Sequence, residues 1–177
     1  MLKLICKSKT RNCRNGCISG LPPEMFAFMR SPCSYTMTEA LEYFRNAELY
    51  TDDIEYLMVS LPPRAITLAA AVLAEVNDPF GCLIADKDEV TLFIPAECLE
   101  DYRDRLRHAH YSKPMRLITF DIQLPPTLTG FMAFIADLLA QAEIPIIPIG
   151  AFHRDHLLVE ADKFPKAWQL LKDKQKA

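Results

Sequence analysis

The chain has 177 residues, half of them hydrophobic, and a formal net charge of −3, so it can bury one or two modest cores but has no overall electrostatic footprint for nucleic acid. Its apolar runs fall short of the roughly 20 residues that cross a bilayer, and the stretch from Met1 to Cys6 is too short for the apolar core of a secretory signal. These properties exclude a membrane span and a general nucleic-acid binder, and they point to a soluble, cytoplasmic protein.

Residues 1–36 are unlike the remainder. Lys3, Lys7, Lys9, Arg11, Arg14 and Arg30 stand against Glu24 alone, a net of +5 that leaves −8 for the rest. Asn15-Gly16, Ser19-Gly20 and Pro22-Pro23 interrupt any helical or strand period, so the stretch reads as a flexible, basic extension. Cys6, Cys13, Cys17 and Cys33 lie in it at spacings of seven, four and sixteen. That is not the paired C-x-x-C pattern of a zinc site, and the four read as reduced thiols. Cys82 and Cys98 sit in apolar contexts, as small buried hydrophobes.

A first unit is expected over residues 37–111. A short helix starts at Thr38, a strand runs from Glu55 to Leu61 into Pro62-Pro63, and an Ala- and Leu-rich helix follows from Arg64 to Val76. Two apolar runs flank Asp86-Lys87-Asp88, the mark of a hairpin with a charged turn. Ala96 to His108 reads as a surface helix with Leu99, Tyr102 and Leu106 on one stripe.

A second unit is expected over residues 112–177. Its long strand, Arg116 to Leu124, alternates so that Ile118, Phe120, Ile122 and Leu124 occupy the buried face. Thr127 or Thr129 caps the next helix, whose core residues include Phe131, Phe134, Ile135, Leu138 and Leu139. A hairpin of Ile146 to Ala151 and His156 to Val159 precedes a last helix, Phe164 to Lys174.

The two units are one pattern written twice. Leu61-Pro62-Pro63 recurs 63 positions later as Leu124-Pro125-Pro126, and Pro79 recurs 66 positions later as Pro145. The order strand–helix–strand–strand–helix, repeated, predicts an α+β, ferredoxin-like fold: two tandem βαββα units with antiparallel sheets and helices on one face. Phe120, Ile122, Leu138 and Leu158 are expected to share a core.

Enzymatic motifs are missing from the sequence. It has no G-x-S-x-G, H-E-x-x-H or phosphate loop, and only five glycines. Cys98 and His108, ten residues apart, would be separated by almost three helical turns. His153, Asp155 and His156 suggest a metal site, but on a strand residue 156 points away from 153 and 155. His108 and His110, at the end of a surface helix, read as solvated. No catalytic residue, metal or cofactor is therefore expected.

The chemistry points instead to a zwitterion. Thr129-Gly130 at a helix start offers a hydroxyl and open amides to a carboxylate. Gly150 permits close backbone approach, and Asp155 can hold an ammonium or guanidinium group. The alternative at this position is structural, with Thr129 only capping the helix and Gly130 only easing its packing on the sheet.

Several segments resemble one family. Residues 38–61, Asp88-Glu89-Val90-Thr91-Leu92-Phe93-Ile94-Pro95, and Ile149-Gly150-Ala151-Phe152-His153-Arg154-Asp155-His156-Leu157-Leu158-Val159 look like successive blocks of a small tandem ACT-domain family. Leu128-Thr129-Gly130 and Ala142-Glu143-Ile144 resemble its helix start and helix end, with Glu143 in place of a glycine. The resemblance covers residues 38–172. It implies a ferredoxin-like, non-catalytic regulatory protein that binds a small ligand, usually an amino acid; the expected place for that ligand is the interface between units or across a homodimer. Phe152, His153 and His156 then join Thr129, Gly130, Gly150 and Asp155 as the candidate ligand-binding set. The competing reading is a ferredoxin-like protein- or RNA-interaction module. RNA binding requires exposed aromatics on a basic sheet face. Phe93, Phe120 and Phe152 are candidates, but the body is acidic.

Overall fold

A computed structural model describes residues 33–177, with side chains from residue 39 onward. Residues 1–32 of the basic extension thus lie outside the described residues. Its last four residues form the first turn of helix α1 (Cys33–Asn46), which begins five residues before Thr38. Neither glycine nor proline interrupts this stretch, so nothing local stops the helix from extending back.

The first repeat then runs as β2 (Glu55–Leu61), α2 (Ile66–Val76), β3 (Cys82–Ala85) and β4 (Val90–Pro95), after a short β1 (Glu48–Tyr50). A single-turn helix α3 (Leu99–Tyr102) and β5 (His110–Tyr111) close it. The second repeat comprises β6 (Met115–Asp121), α4 (Phe131–Gln141), β7 (Ile146–Gly150), β8 (Asp155–Glu160) and α5 (Phe164–Lys176).

The eight described strands form one antiparallel sheet, six of them in the order β3-β4-β2-β6-β8-β7. The lead strands of the two repeats meet at its centre through Glu55↔Arg116 and Tyr56↔Met115. The remaining half of each lead strand takes a short partner. β5 pairs with β2 at Val59↔Tyr111, and β1 pairs with β6 at Leu49↔Phe120. Each unit therefore has four strands in ferredoxin-like order, but the fourth strand of the second unit is β1, which precedes the first repeat in the chain.

Packing follows the same division. Ala40 and Phe44 of α1 join Phe131, Ile135 and Leu139 of α4 and Phe164, Ala167 and Leu171 of α5 over Ile118, Phe120, Leu157 and Val159. The first unit packs Ala69 and Val72 of α2 on Leu57, Val59, Leu61, Val90, Leu92 and Ile94. A third cluster, Tyr56, Phe93, Met115, Leu117 and Leu158, lies on the opposite sheet face and crosses from one unit to the other.

Three expectations are corrected. Leu117 and Thr119 are buried as well as Ile118 and Phe120, because β6 is a central strand covered on both faces. Leu158 consequently packs with Leu117 and Tyr56, while Phe120 packs with Ile122 and Leu138 on the helix side. The helix from Ala96 to His108 is reduced to a 3-10 turn, one α turn and further turns. There the Arg107 Nε donates to the Asp104 carbonyl at 2.9 Å, the Tyr111 hydroxyl donates to the Leu106 carbonyl at 2.8 Å, and Leu106 is buried. Side-chain donors take carbonyls that a continuing helix would use.

Candidate ligand-binding cleft

The loop from Leu124 into α4 and the tip of the β7–β8 hairpin lie side by side. The Leu124 N–H donates to the His153 carbonyl at 2.9 Å, and the Gln123 side chain meets His153 Nδ1 at 3.4 Å. Gly130, at φ 85, is the N-cap of α4, and no side chain caps this helix. The expected Thr129 cap is absent and Thr129 is exposed. Only glycine turns readily into a helix through that left-handed conformation. The Phe134 N–H donates to the Gly130 carbonyl at 2.9 Å, leaving the amides before it without a side-chain acceptor. At the far end of α4, Glu143 takes a left-handed φ of 59, at the position where the resembled family has glycine.

The hairpin places Asp155 opposite Gly150. Strand alternation then sends Asp155, with Leu157 and Val159, to the helix side, and His156, with Leu158, to the other face. A Cβ at position 150 would meet Asp155 Oδ1 at 3.5 Å, an ordinary contact; the glycine leaves space beside the carboxylate rather than relieving a clash.

Asp155 forms the polar floor of a cleft of about 300 Å³, walled by Leu124, Pro125, Pro126, Leu128, Phe131, Ala151 and Phe152. Its carboxyl group is half-buried and has no hydrogen bond or ion pair with another described residue. Burial pushes its pKa above the ordinary carboxylate value. Thr129 and Gly130 flank the lining residues Leu128 and Phe131, while Phe152 and His153 are exposed at the tip, their rings 4.7 Å apart and edge to face.

His156 belongs elsewhere. It lines a separate crevice of about 240 Å³ with Tyr50, Asp52, Pro79, Phe80, Leu117, Thr119, Asp121 and Arg154, between the two units on the opposite sheet face. Its Nδ1 lies 2.9 Å from Thr119 Oγ1 and its ring 5.4 Å from Phe80. Burial first, and then the Arg154 guanidinium, hold the imidazole below its usual pKa, so it is neutral at pH 7. Arg154 itself pairs with Asp121 at 2.5 Å. Among the described residues, no three His, Cys, Asp or Glu side chains are placed to hold a metal ion.

The seven candidate residues are thus divided. Phe152 and Asp155 line the cleft, Gly150 lies beside Asp155 without lining it, Thr129 and Gly130 sit between two lining residues, His153 braces the tip, and His156 faces away. The cleft is lined by second-unit residues alone, whereas the His156 crevice lies between the units. Of the cleft's walls, Phe152 is a candidate from the sequence, Leu124 and Phe131 read there as core, and Leu124-Pro125-Pro126 stands out only as a marker of the repeat.

The repeat also supplies an internal control. Ala85↔Val90 closes the first hairpin as Gly150↔Asp155 closes the second, each over a four-residue turn. Val90 is 1% exposed. The fold therefore accepts an apolar residue where the second unit has a carboxylate.

Residues 112–173 match the family model described as the ACT domain. No curated protein matches the chain. Among solved structures, a Vibrio cholerae protein of unknown function, described as a possible transport protein, superposes with a TM-score of 0.60 at 20% identity, covering 77% of this chain and 97% of that one. The ligand-free regulatory subunit of aspartate kinase from Thermus thermophilus gives 0.55 at 10% identity, over 72% of this chain and 97% of that one. The aspartate kinase of Clostridium acetobutylicum, an allosteric enzyme, gives 0.58 at 13% identity, over 72% of this chain but 34% of its own. Residues 112–173 are thus similar in sequence to the ACT domain, and the described chain shares its ferredoxin-like fold with aspartate-kinase regulatory regions.

Proposed function

We propose that this chain is a non-catalytic regulatory module whose second unit binds a small amino acid in the Asp155 cleft. The ACT-domain match and the fold shared with aspartate-kinase regulatory regions support a regulatory, ligand-binding role. The observation that carries the choice of site is Asp155: a half-buried carboxylate without a described cationic partner, at a place where the other repeat has buried Val90. A ligand ammonium supplies the missing charge. The amides at the α4 start, beside Thr129 and Gly130, supply donors for a carboxylate.

A thermal-shift screen of the twenty amino acids tests this reading. A ligand present at a hundredfold excess over its Kd stabilises by about 2.7 kcal/mol, which raises Tm by several degrees. A charge-assisted hydrogen bond contributes about 1.5–3 kcal/mol, so Asp155→Asn should weaken binding by roughly ten- to a hundredfold. The reading fails if no amino acid raises Tm, or if the Asp155→Asn chain responds as the wild type does.

A further inference from the structure

Phe152 is 79% exposed, more than any other large hydrophobic side chain described. An aromatic ring so exposed loses the apolar contact that normally accompanies it. Among the described residues its one aromatic neighbour, His153, meets it edge to face. Phe152 stands at the lip of the Asp155 cleft, whose remaining walls are Leu124, Leu128, Pro125, Pro126, Ala151 and Phe131. The free chain therefore leaves two needs unmet about one cavity. Among the described residues, a half-buried carboxylate has no cation beside it, and an exposed ring has no apolar surface over it.

Resting on the reading of this cleft as the ligand site, we infer that it selects a cation joined to a hydrocarbon stem, and that Phe152 is the residue that sets this selectivity. The cationic group meets Asp155, and the stem lies along the proline and leucine wall beneath the Phe152 ring. The backbone at the tip is held by the Leu124 to His153 hydrogen bond, so rotation of the Phe152 side chain closes the site. Among the described residues, no lysine, arginine or histidine lines the cleft. The neighbouring basic groups are engaged, Arg154 with Asp121 and His153 with Gln123. A second negative charge on the ligand would find no cation, which counts against acidic amino acids. A short polar side chain would leave the ring and the walls in water.

Isothermal titration of the full chain with L-leucine, L-phenylalanine, L-arginine, L-serine, L-aspartate and 4-methylpentanoate tests the inference. At least one of leucine, phenylalanine and arginine should bind ten- to a hundredfold more tightly than serine or aspartate, the effect of burying one aromatic side chain. 4-Methylpentanoate, which keeps the leucine stem but lacks the ammonium, should not bind. Phe152→Ala should remove most of that margin while leaving Tm unchanged, because the ring packs on little else. The inference is overturned if serine or aspartate binds as tightly as the best stem-bearing cation, or if Phe152→Ala preserves the margin. In either case the amino-acid site itself stands so long as Asp155→Asn still weakens binding by roughly tenfold or more. If none of the amino acids binds the wild-type chain, the site reading falls and this inference falls with it.

Discussion

A carboxylate withdrawn from water without a cation beside it is a cost that folding alone does not require. Asp155 bears that cost at a position whose counterpart in the first unit, Val90, is buried among Leu92, Leu61 and Val59. Asp155→Val should therefore stabilise the chain by about 1 kcal/mol while abolishing ligand binding. The pH dependence gives a second readout. The folded-state pKa of Asp155 is raised, so the cost is absent below the unfolded carboxylate value of about 3.9 and complete once the pH exceeds the folded value. Wild-type stability is lost as pH rises through that window. In urea unfolding, the advantage of Asp155→Val should accordingly be larger at pH 7 than at pH 4. An equal advantage at both, or a net loss at pH 7, would show that the carboxylate is satisfied in the fold.

At the scale of elements, the first helix and strand decide how the chain is divided. The residues from 37 onward read locally as the opening of the first unit, yet α1 and β1 pack and pair with the second. Phe44 is fully buried, with its ring 6.3 Å from that of Phe120 and 5.4 Å from that of Phe134. Gln175 of α5 donates to the carbonyls of Phe44 and Ala47 at 2.8 and 2.7 Å, closing the end of α1. Phe44→Ala should cost about 3–5 kcal/mol in urea unfolding. Hydrogen exchange should quicken first in β6, β8 and α4, and not in β2 and β4. Loss of protection confined to the first unit would place α1 in the wrong core. No sequence periodicity reports this, because the pairing of β1 with β6 spans some seventy residues of chain and local pattern carries no information on which distant strand is the partner.

For the molecule as a whole, the seam between the units is apolar and continuous. Tyr56 is fully buried at the centre, and its hydroxyl donates to Asp52 at 2.6 Å. Burial, reinforced by Asp52, holds its phenol protonated far above the ordinary range. Arg116 of the second lead strand lies over the Phe164 ring at 3.9 Å and pairs with Asp53 of the β1–β2 connection. Two units joined by shared strands and a shared cluster should unfold together. Fluorescence of Trp168, the single tryptophan, in α5, and hydrogen exchange at Val59 of β2 should therefore report the same urea midpoint. Two separated midpoints would mean that the seam contributes little.

By itself the sequence determined the repeat, the two hairpins, the tandem ferredoxin-like class and the opposed directions of Asp155 and His156. Each follows from local period, from turn chemistry, or from the recurrence of Leu-Pro-Pro at a fixed interval. Tertiary structure alone decided that β6 is covered on both faces, that β1 completes the second unit, and that Pro125, Phe131 and Phe152 converge on Asp155. Those facts depend on register between strands far apart in the chain and on the juxtaposition of a loop with a hairpin tip. Such distances are set by the packing of the whole sheet and leave no mark in the neighbouring residues.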